Sequence, residues 1–382
     1  MEVVIWGVTS LGEHLINNIW IENENIRPSV FIDSNTKLQN TQVKGIPVIS
    51  YEEFLRTINV SQTIILLSVR NAASVFQILG QLKDISVVNV GIVKTSALWS
   101  KQSVYLNEEN SNIVWTRYEG EQLRIIPRIE INLIDACNLK CKGCTHFSSI
   151  YTNDSRYPIT NYMKDLTQLR KVGKVFRIRL LGGEPLLLDN LDEYVEITRT
   201  IFEESDIEIV TNGLLIPKIK EKVLLAIKSN NVSIIISSYP PTLQMKKQII
   251  ERLNKYHIWH QLEDKEIVQF SRNLTLEKKH NEALSNNNCF SSSCTFLRNG
   301  KLYKCPFDAL INDFYLFYKL QRKHDGGISL YQDKDALYKA IINYAFNPVE
   351  MCKYCAEVPE MIPWSVETSP VLEDWLYRGE SL

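Results

Sequence analysis

The stretch RIEINLIDACNLKCKGC, residues 128–144, decides how the rest of the chain is read. Its first half, Arg128 to Asp135, is an apolar-alternating run that reads as a strand, and its second half is a short loop carrying Cys137, Cys141 and Cys144. A Cx3Cx2C array is expected by chance about 0.004 times in a chain of this cysteine content, so the spacing marks a built site. Three thiolates on one loop suit three corners of a [4Fe-4S] cube, leaving the fourth iron without a protein ligand. Zinc is the competing reading. A structural zinc site takes four ligands, however, and the nearest fourth candidate, His146, follows Cys144 by only two positions.

Downstream, the pattern alternates. YMKDLTQLRKVG reads as a helix, FRIRLLGG as a strand, LDEYVEITRTIFEE as a helix and IEIVTNG as a strand. A helix over 218–229, the strand VSIIISS (232–238) and the helix MKKQIIERLNKYH follow, and IWHQLEDKEIVQF adds a fifth strand. Consecutive βα units specify a parallel sheet with its active site at the C-terminal strand ends, and about six of them make a partial (β/α)6 barrel of the TIM type. The cysteine loop stands after the first of these strands, where a catalytic loop belongs. Glu263 and Asp264, near a later strand end, are substrate-contact candidates by position alone, and His257 and His260 read as residues at a helix end.

Upstream, EVVIWG (2–7), SVFID (29–33), GIPVIS (45–50), TIILLS (63–68) and VVNVGIV (87–93) alternate with amphipathic stretches, giving a small parallel α/β domain. Its first turn, Gly7-Val8-Thr9-Ser10-Leu11-Gly12, approaches the dinucleotide fingerprint, with Asp33 placed for a ribose hydroxyl. Thr9 replaces the central glycine that lets backbone approach a pyrophosphate, and a plain helix-packing turn is the equal alternative. Residues from about 96 to 125 are polar and read as a linker or peripheral hairpin. Towards the other end, NEALSNNN (281–288) marks a boundary, and TFLRNGKLYKCPF reads as a hairpin with an Asn-Gly turn. FYLFYKLQRKH (314–324) reads as an amphipathic helix over a core.

The 382 residues are 45% hydrophobic and 23% charged, which suits a globular chain of several domains. With 43 Lys plus Arg against 44 Asp plus Glu, no global field recruits nucleic acid or an acidic membrane. No apolar run is long enough to span a bilayer and the N-terminus lacks a signal-peptide pattern, so a cytoplasmic location is expected, with neither nucleic acid nor membrane as partner. None of the eight cysteines lies in the first 136 residues, and clustered thiols in that setting favour metal or catalysis over disulfides.

With these residues in view, the chain resembles the radical S-adenosylmethionine (SAM) enzymes from residue 128 to about 270. Leu181-Gly182-Gly183-Glu184-Pro185 looks like that family's GGEP motif. The resemblance implies that Gly182, Gly183, Glu184 and Pro185 meet the methionine end of SAM, the carboxylate attracting its ammonium. It further implies that Asn212, in Thr211-Asn212-Gly213, meets the ribose, and that Ser237 and Ser238, ending the fourth strand, lie nearby. Gly143 stands where the family usually has an aromatic residue near adenine, so its backbone, or Phe147, would substitute. A 5′-deoxyadenosyl radical, and a reductase such as flavodoxin or ferredoxin as electron donor, are implied in turn.

The remaining thiols are Cys289, Cys294, Cys305, Cys352 and Cys355. Cys294 and Cys305 flank the predicted hairpin, and Cys352-Lys-Tyr-Cys355 is a second close pair. Together they resemble the family's SPASM/Twitch extension in its shorter Twitch form, which implies one auxiliary [4Fe-4S] cluster on Cys294, Cys305, Cys352 and Cys355. By spacing alone zinc remains a rival for four cysteines. Cys289 is left over as an alternative ligand, an inert buried thiol or a catalytic hydrogen-atom donor. The expected order is therefore a Rossmann-like domain (1–97), a linker (98–126), a radical SAM partial barrel (127–285) and a Twitch-like hairpin-plus-helix domain (286–382), all α/β. The segment with GIPVIS also looks like N-terminal Rossmann-like domains attached to sugar-modifying enzymes of bacterial glycan pathways. The leading expectation is oxidation or epimerisation at a carbinol carbon of a small substrate, a sugar or nucleotide sugar. The alternatives are a peptide-modifying maturase and a zinc-stapled nucleotide-binding scaffold.

Overall fold

Short β-branched runs alternating with helices build the first of two units in the structure, a computed structural model that describes residues 2–21, 24–82, 88–94, 104–106, 113–118, 124–151 and 155–379. This unit takes Met1–Pro127 with Gly173–Phe176 and Glu204–Asp206. Strands Val88–Val93, Thr63–Leu67, Glu2–Trp6, Val30–Ile32 and Ile46–Ile49 pair in parallel in that order. Alternate side chains serve two cores: Val4, Trp6, Ile65 and Leu67 one, Val3, Ile5, Ile64 and Leu66 the other. Such runs are apolar throughout because both faces of the sheet are covered.

The segment expected as a linker or peripheral hairpin contributes an edge strand to this sheet. Ile113–Tyr118 pairs antiparallel with Val88–Val93, with Ile113 and Val114 buried. The polar residues before it hid the strand in the sequence; residues 96–103, 107–112 and 119–123 of that reading lie outside the described residues. The Gly7–Gly12 turn has the contacts of the helix-packing alternative. Asp33 accepts from the backbone N–H of Val8 at 2.7 Å and of Asn35 at 2.8 Å, and Thr9 caps the six-residue helix Ser10–Leu15 through Gly12 N. The carboxylate expected to meet a ribose is engaged by the loops around it.

The second unit takes Arg128–Val172, Arg177–Glu203 and Ile207–Leu382. One sheet runs in the order His260–Leu262, Ser233–Ile236, Asp206–Thr211, Lys174–Gly182, Ile125–Ile134, Phe296–Arg298, Lys301–Tyr303, Ile328–Ser329. Phe296–Arg298 pairs in parallel with Ile125–Ile134 and antiparallel with Lys301–Tyr303. The hairpin, expected in a separate domain after residue 285, is thus part of the same sheet as the cysteine-bearing strand. NEALSNNN is no break either: Asn281 caps the helix Glu282–Asn287, accepting from Ala283 N and Leu284 N, and Ser285 and Asn286 are buried. Cys355–Pro363 pairs antiparallel with Gln269–Leu274. The helix Pro306–Phe317 buries Phe314 and Tyr315 but leaves Leu316 exposed, so the amphipathic stretch from 314 is its last turn and not a new helix.

Candidate active site

Cys137, Cys141 and Cys144 line one cavity of about 700 Å³ at the end of the Ile125–Ile134 strand. Three N–H groups point at two of the sulfurs. Leu139 N donates to Cys137 Sγ at 3.3 Å, Asn212 Nδ2 to Cys137 Sγ at 3.6 Å, and Trp364 Nε1 to Cys141 Sγ at 3.3 Å. Donors aimed at sulfur stabilise negative charge there. Burial raises the Cys137 thiol, with Glu184 adding to it, and pushes Cys141 up to about 12. Without a metal both stay protonated, so a metal must displace the protons to bind.

The loop is closed from outside by the chain's last segment. Lys142 N donates to Ser365 O at 2.9 Å and Glu367 N to Lys140 O at 2.7 Å, a short antiparallel bridge of Cys141 with Val366. Lys142 pairs with Asp374 at 2.8 Å, and Trp375 Nε1 donates to Cys144 O at 2.9 Å. Trp364 stacks on Tyr239, whose ring lines the cavity.

Gly182, Gly183, Asn212, Ser237 and Gly143 all line this cavity; Glu184 and Pro185 are buried outside its lining. A Cβ on Gly182 would stand 2.1 Å from Ile134 O, and one on Gly183 2.1 Å from Ala136 O. Only glycine lets this strand end pass the root of the cysteine loop. Glu184 does not face the cavity as expected. It is wholly buried and accepts from Leu186 N at 3.0 Å, Thr211 Oγ1 at 2.6 Å and Asn212 N at 2.8 Å. Its carboxylate joins two strand ends, a positioning role. Asn212 Nδ2 also donates to Asn138 Oδ1 at 2.8 Å.

Phe147 cannot substitute for an aromatic beside adenine. It is fully buried against Phe307, Phe314 and Trp375. Gly143 has φ +70°, a conformation an aromatic residue adopts only with strain, which accounts for the glycine. Ser238 is buried with its hydroxyl on Glu263 O. His146 lies 3.0 Å from Gly182 O through Nδ1, and burial lowers its pKa. His257 is exposed beyond the helix Lys246–Lys255, and His260 Nδ1 meets Ile258 O. Glu263 and Asp264 are exposed and outside the cavity lining, Asp264 pairing with Lys246, so the fold does not bring them to this cavity.

The second group of thiols is arranged differently from expectation. Cys289, Cys305, Cys352 and Cys355 line one small cavity of about 40 Å³, and Cys294 does not. Cys294 instead lines the large cavity with Cys137, Cys141 and Cys144. The reason lies in the sheet: Thr295 O accepts from Glu130 N at 2.9 Å, so the residue before the Phe296–Arg298 strand is carried to the side of Arg128. Arg128 Nη2 donates to Cys294 Sγ at 3.0 Å. Cys289, five residues earlier, lies beyond the turn that follows the helix Glu282–Asn287. Burial pushes Cys294 up to about 12, keeping it an S–H group.

Sequence reasoning missed several groups. Arg128, Glu130 and Arg179 line the large cavity as a charged row: Arg179 Nη1 meets Glu130 Oε1 at 3.1 Å and Arg179 Nε meets Glu208 Oε2 at 3.1 Å. The charged residues at alternate positions of the strands, Arg128 with Glu130 and Arg177 with Arg179, were the available signal. Lys304, 2% exposed, lines the small cavity. Burial lowers its pKa, while Cys352, Cys305, Cys289 and Cys294 oppose the shift.

No group of three or more His, Cys, Asp or Glu side chains among the described residues is gathered around a single-ion site. The sulfurs stand in the walls of cavities, and a cube of iron and sulfide is an object larger than one ion. The all-thiol sets and the N–H groups aimed at them suit that chemistry.

Residues 131–263 match the family model of the radical SAM superfamily, and residues 1–91 that of a CoA binding domain. The GTP 3′,8-cyclase of Alkaliphilus oremlandii is 32% identical over 115 residues, 29% of this chain and 35% of that protein. That of Staphylococcus epidermidis is 34% identical over 101 residues, 25% and 29% of the two chains. The chain thus spans about a third of the length of the curated relatives it matches. Among solved structures, BtrN in complex with AdoMet and 2-DOIA covers 63% of this chain and 97% of its own at 17% identity, with a TM-score of 0.37. SuiB of Streptococcus suis bound to S-adenosylmethionine covers 36% and 33% at 18% identity, with a TM-score of 0.30. The matched segment contains the cysteine loop, and by that similarity residues 131–263 are a radical SAM domain.

Proposed function

We propose that the chain removes a hydrogen atom from a carbinol carbon of a small hydroxylated molecule, a sugar or nucleotide sugar, and so oxidises or epimerises it. The observation that carries this reading is that one cavity is lined both by the three-cysteine loop and by Arg128, Glu130, Arg179 and Cys294. Cys137, Cys141 and Cys144 would hold a [4Fe-4S] cluster with an open iron, and Gly143, Gly182, Gly183, Asn212 and Ser237 would line the SAM site. Together these groups, when bound, supply a 5′-deoxyadenosyl radical. Cys289, Cys305, Cys352 and Cys355 would hold an auxiliary cluster, replacing Cys294 of the sequence expectation.

The protein's own part is to bind, orient and exchange protons. Arg128 and Arg179 offer guanidinium N–H groups to hydroxyl or phosphate oxygens. Glu130 is the one carboxylate among the described lining residues, and it is the candidate to take the hydroxyl proton as a carbinol becomes a ketone. Cys289, Cys305, Cys352 and Cys355 would hold the group that accepts the electron left on carbon. In epimerisation the Cys294 S–H returns a hydrogen atom instead, and its sulfur radical is then restored by an electron from the reductase and a proton.

Anaerobic reconstitution, reduction with SAM and candidate sugars, and mass spectrometry of 5′-deoxyadenosine and product test the reading. Deuterium moving from a carbinol carbon into 5′-deoxyadenosine is the expected result. Cys294→Ala should abolish an epimer and leave a ketone product unchanged. The relatives are named for GTP, and the two arginines suit its phosphates equally well, so GTP is the comparison substrate. A cyclised product from GTP alone would replace the sugar reading.

A further inference from the structure

Lys304 is the least expected charge in the second unit. Its side chain enters the protein from the strand Lys301–Tyr303 just before Cys305, and it is 2% exposed. Removing an ammonium from water costs several kcal/mol unless an opposite charge answers it. Among the described residues no carboxylate pairs with it: Nζ donates to the carbonyl oxygens of Ser292 and Tyr344. Two carbonyl dipoles occupy two of its three N–H groups and cancel no charge. The nearest acid in sequence, Asp308, accepts from the Lys304 backbone N–H and from His324 at 2.6 Å. What Lys304 does share is the small cavity, whose wall it forms together with Cys289, Cys305, Cys352 and Cys355.

A buried cation without an acid, beside four half-buried thiols, is costly in the metal-free chain and matched once those thiols carry charge. Four thiolates on a [4Fe-4S] core of charge +2 leave a net charge of about −2, and one added electron makes it about −3. A fixed positive charge favours the more negative state, and low dielectric lengthens its reach.

We propose that Lys304 is the built-in counter-cation of the four-cysteine site and raises the reduction potential of the cluster held there. The inference rests on the auxiliary cluster of the proposed function and gives it a direction: a raised potential makes that cluster an electron acceptor, favouring oxidation of the substrate over return of a hydrogen atom. Lys304 lies outside the lining of the large cavity, so it acts through the cluster and is a positioning residue.

The test is a potentiometric EPR titration of the full chain, with Cys137, Cys141 and Cys144 changed to Ala so that only the second site loads. Iron and sulfide analysis comes first. Less than about four irons per chain in the Lys304 form would show the cluster reading itself to be wrong, separately from the role of Lys304. Where iron is held, Lys304→Gln and Lys304→Met should lower the reduced-to-oxidised ratio at fixed potential at least about tenfold, 59 mV for one electron, and Lys304→Arg should restore it to within about threefold. A midpoint unchanged in Lys304→Gln overturns the proposal. So does a Lys304→Arg protein that holds iron but titrates as low as Lys304→Gln. Should Lys304→Gln lose its iron, the proposal stands on Lys304→Arg keeping both iron and midpoint, and falls if it does not.

Discussion

Glu184 shows how a motif residue can hold strand ends together from outside the cavity lining. Its three donors hold the ends of Lys174–Gly182 and Asp206–Thr211 together, while burial raises its pKa to about 7. A carboxyl group whose folded pKa lies above its unfolded value of 4.5 adds stability below that value and loses it as pH rises through about 7. The free energy of unfolding should therefore fall between pH 5 and 8, and fall less in Glu184→Gln, whose amide does not titrate. Equal slopes in denaturant titrations of the two proteins would contradict this. A second residue-scale prediction concerns Trp364, whose indole donates to Cys141 Sγ. Trp364→Phe removes a hydrogen bond worth about 1 kcal/mol and should lower the midpoint of the first cluster in an EPR titration.

At the scale of elements, the cysteine loop depends on two neighbours. Lys174–Gly182 passes so close that a Cβ on Gly183 would overlap Ala136 O, and Gly183→Ala should cost about 1–3 kcal/mol in chemical denaturation. The last segment pairs with residues 140–142 and delivers Trp364 and Trp375 to the loop. A chain ending at Pro363 should keep iron at the second site and lose most of it at the first, read by iron analysis with EPR; retention of both would remove the closing role of that segment. The βα alternation behind these elements was legible because strands such as Ser233–Ile236 are rich in β-branched apolar residues and the helices between them have a 3.6-residue period. The segment after residue 363 was not, because one antiparallel bridge and two indole contacts leave no periodic trace.

For the molecule as a whole, the three-cysteine loop and its similarity to a radical SAM domain were readable from spacing, since all three cysteines lie within eight residues. The second thiol set was readable only in part. Cys289 and Cys294 both precede the hairpin, and their separation cannot tell which one the sheet carries beside Arg128; that depends on Phe296–Arg298 pairing with a strand over 160 residues earlier. Lys304 had no signal at all, because a lysine beside a hairpin turn usually faces water. The N-terminal unit followed its β-branched pattern closely, while the use of Asp33 by its own loops required three dimensions.

The exchange of roles between Cys289 and Cys294 is where this account commits itself most. Iron and sulfide measured after anaerobic reconstitution of Cys289→Ser and Cys294→Ser, beside the unsubstituted chain, test it directly. The expected values are about eight irons per chain for the unsubstituted protein and for Cys294→Ser, and about four for Cys289→Ser. Loss of four irons in Cys294→Ser with none lost in Cys289→Ser would contradict it.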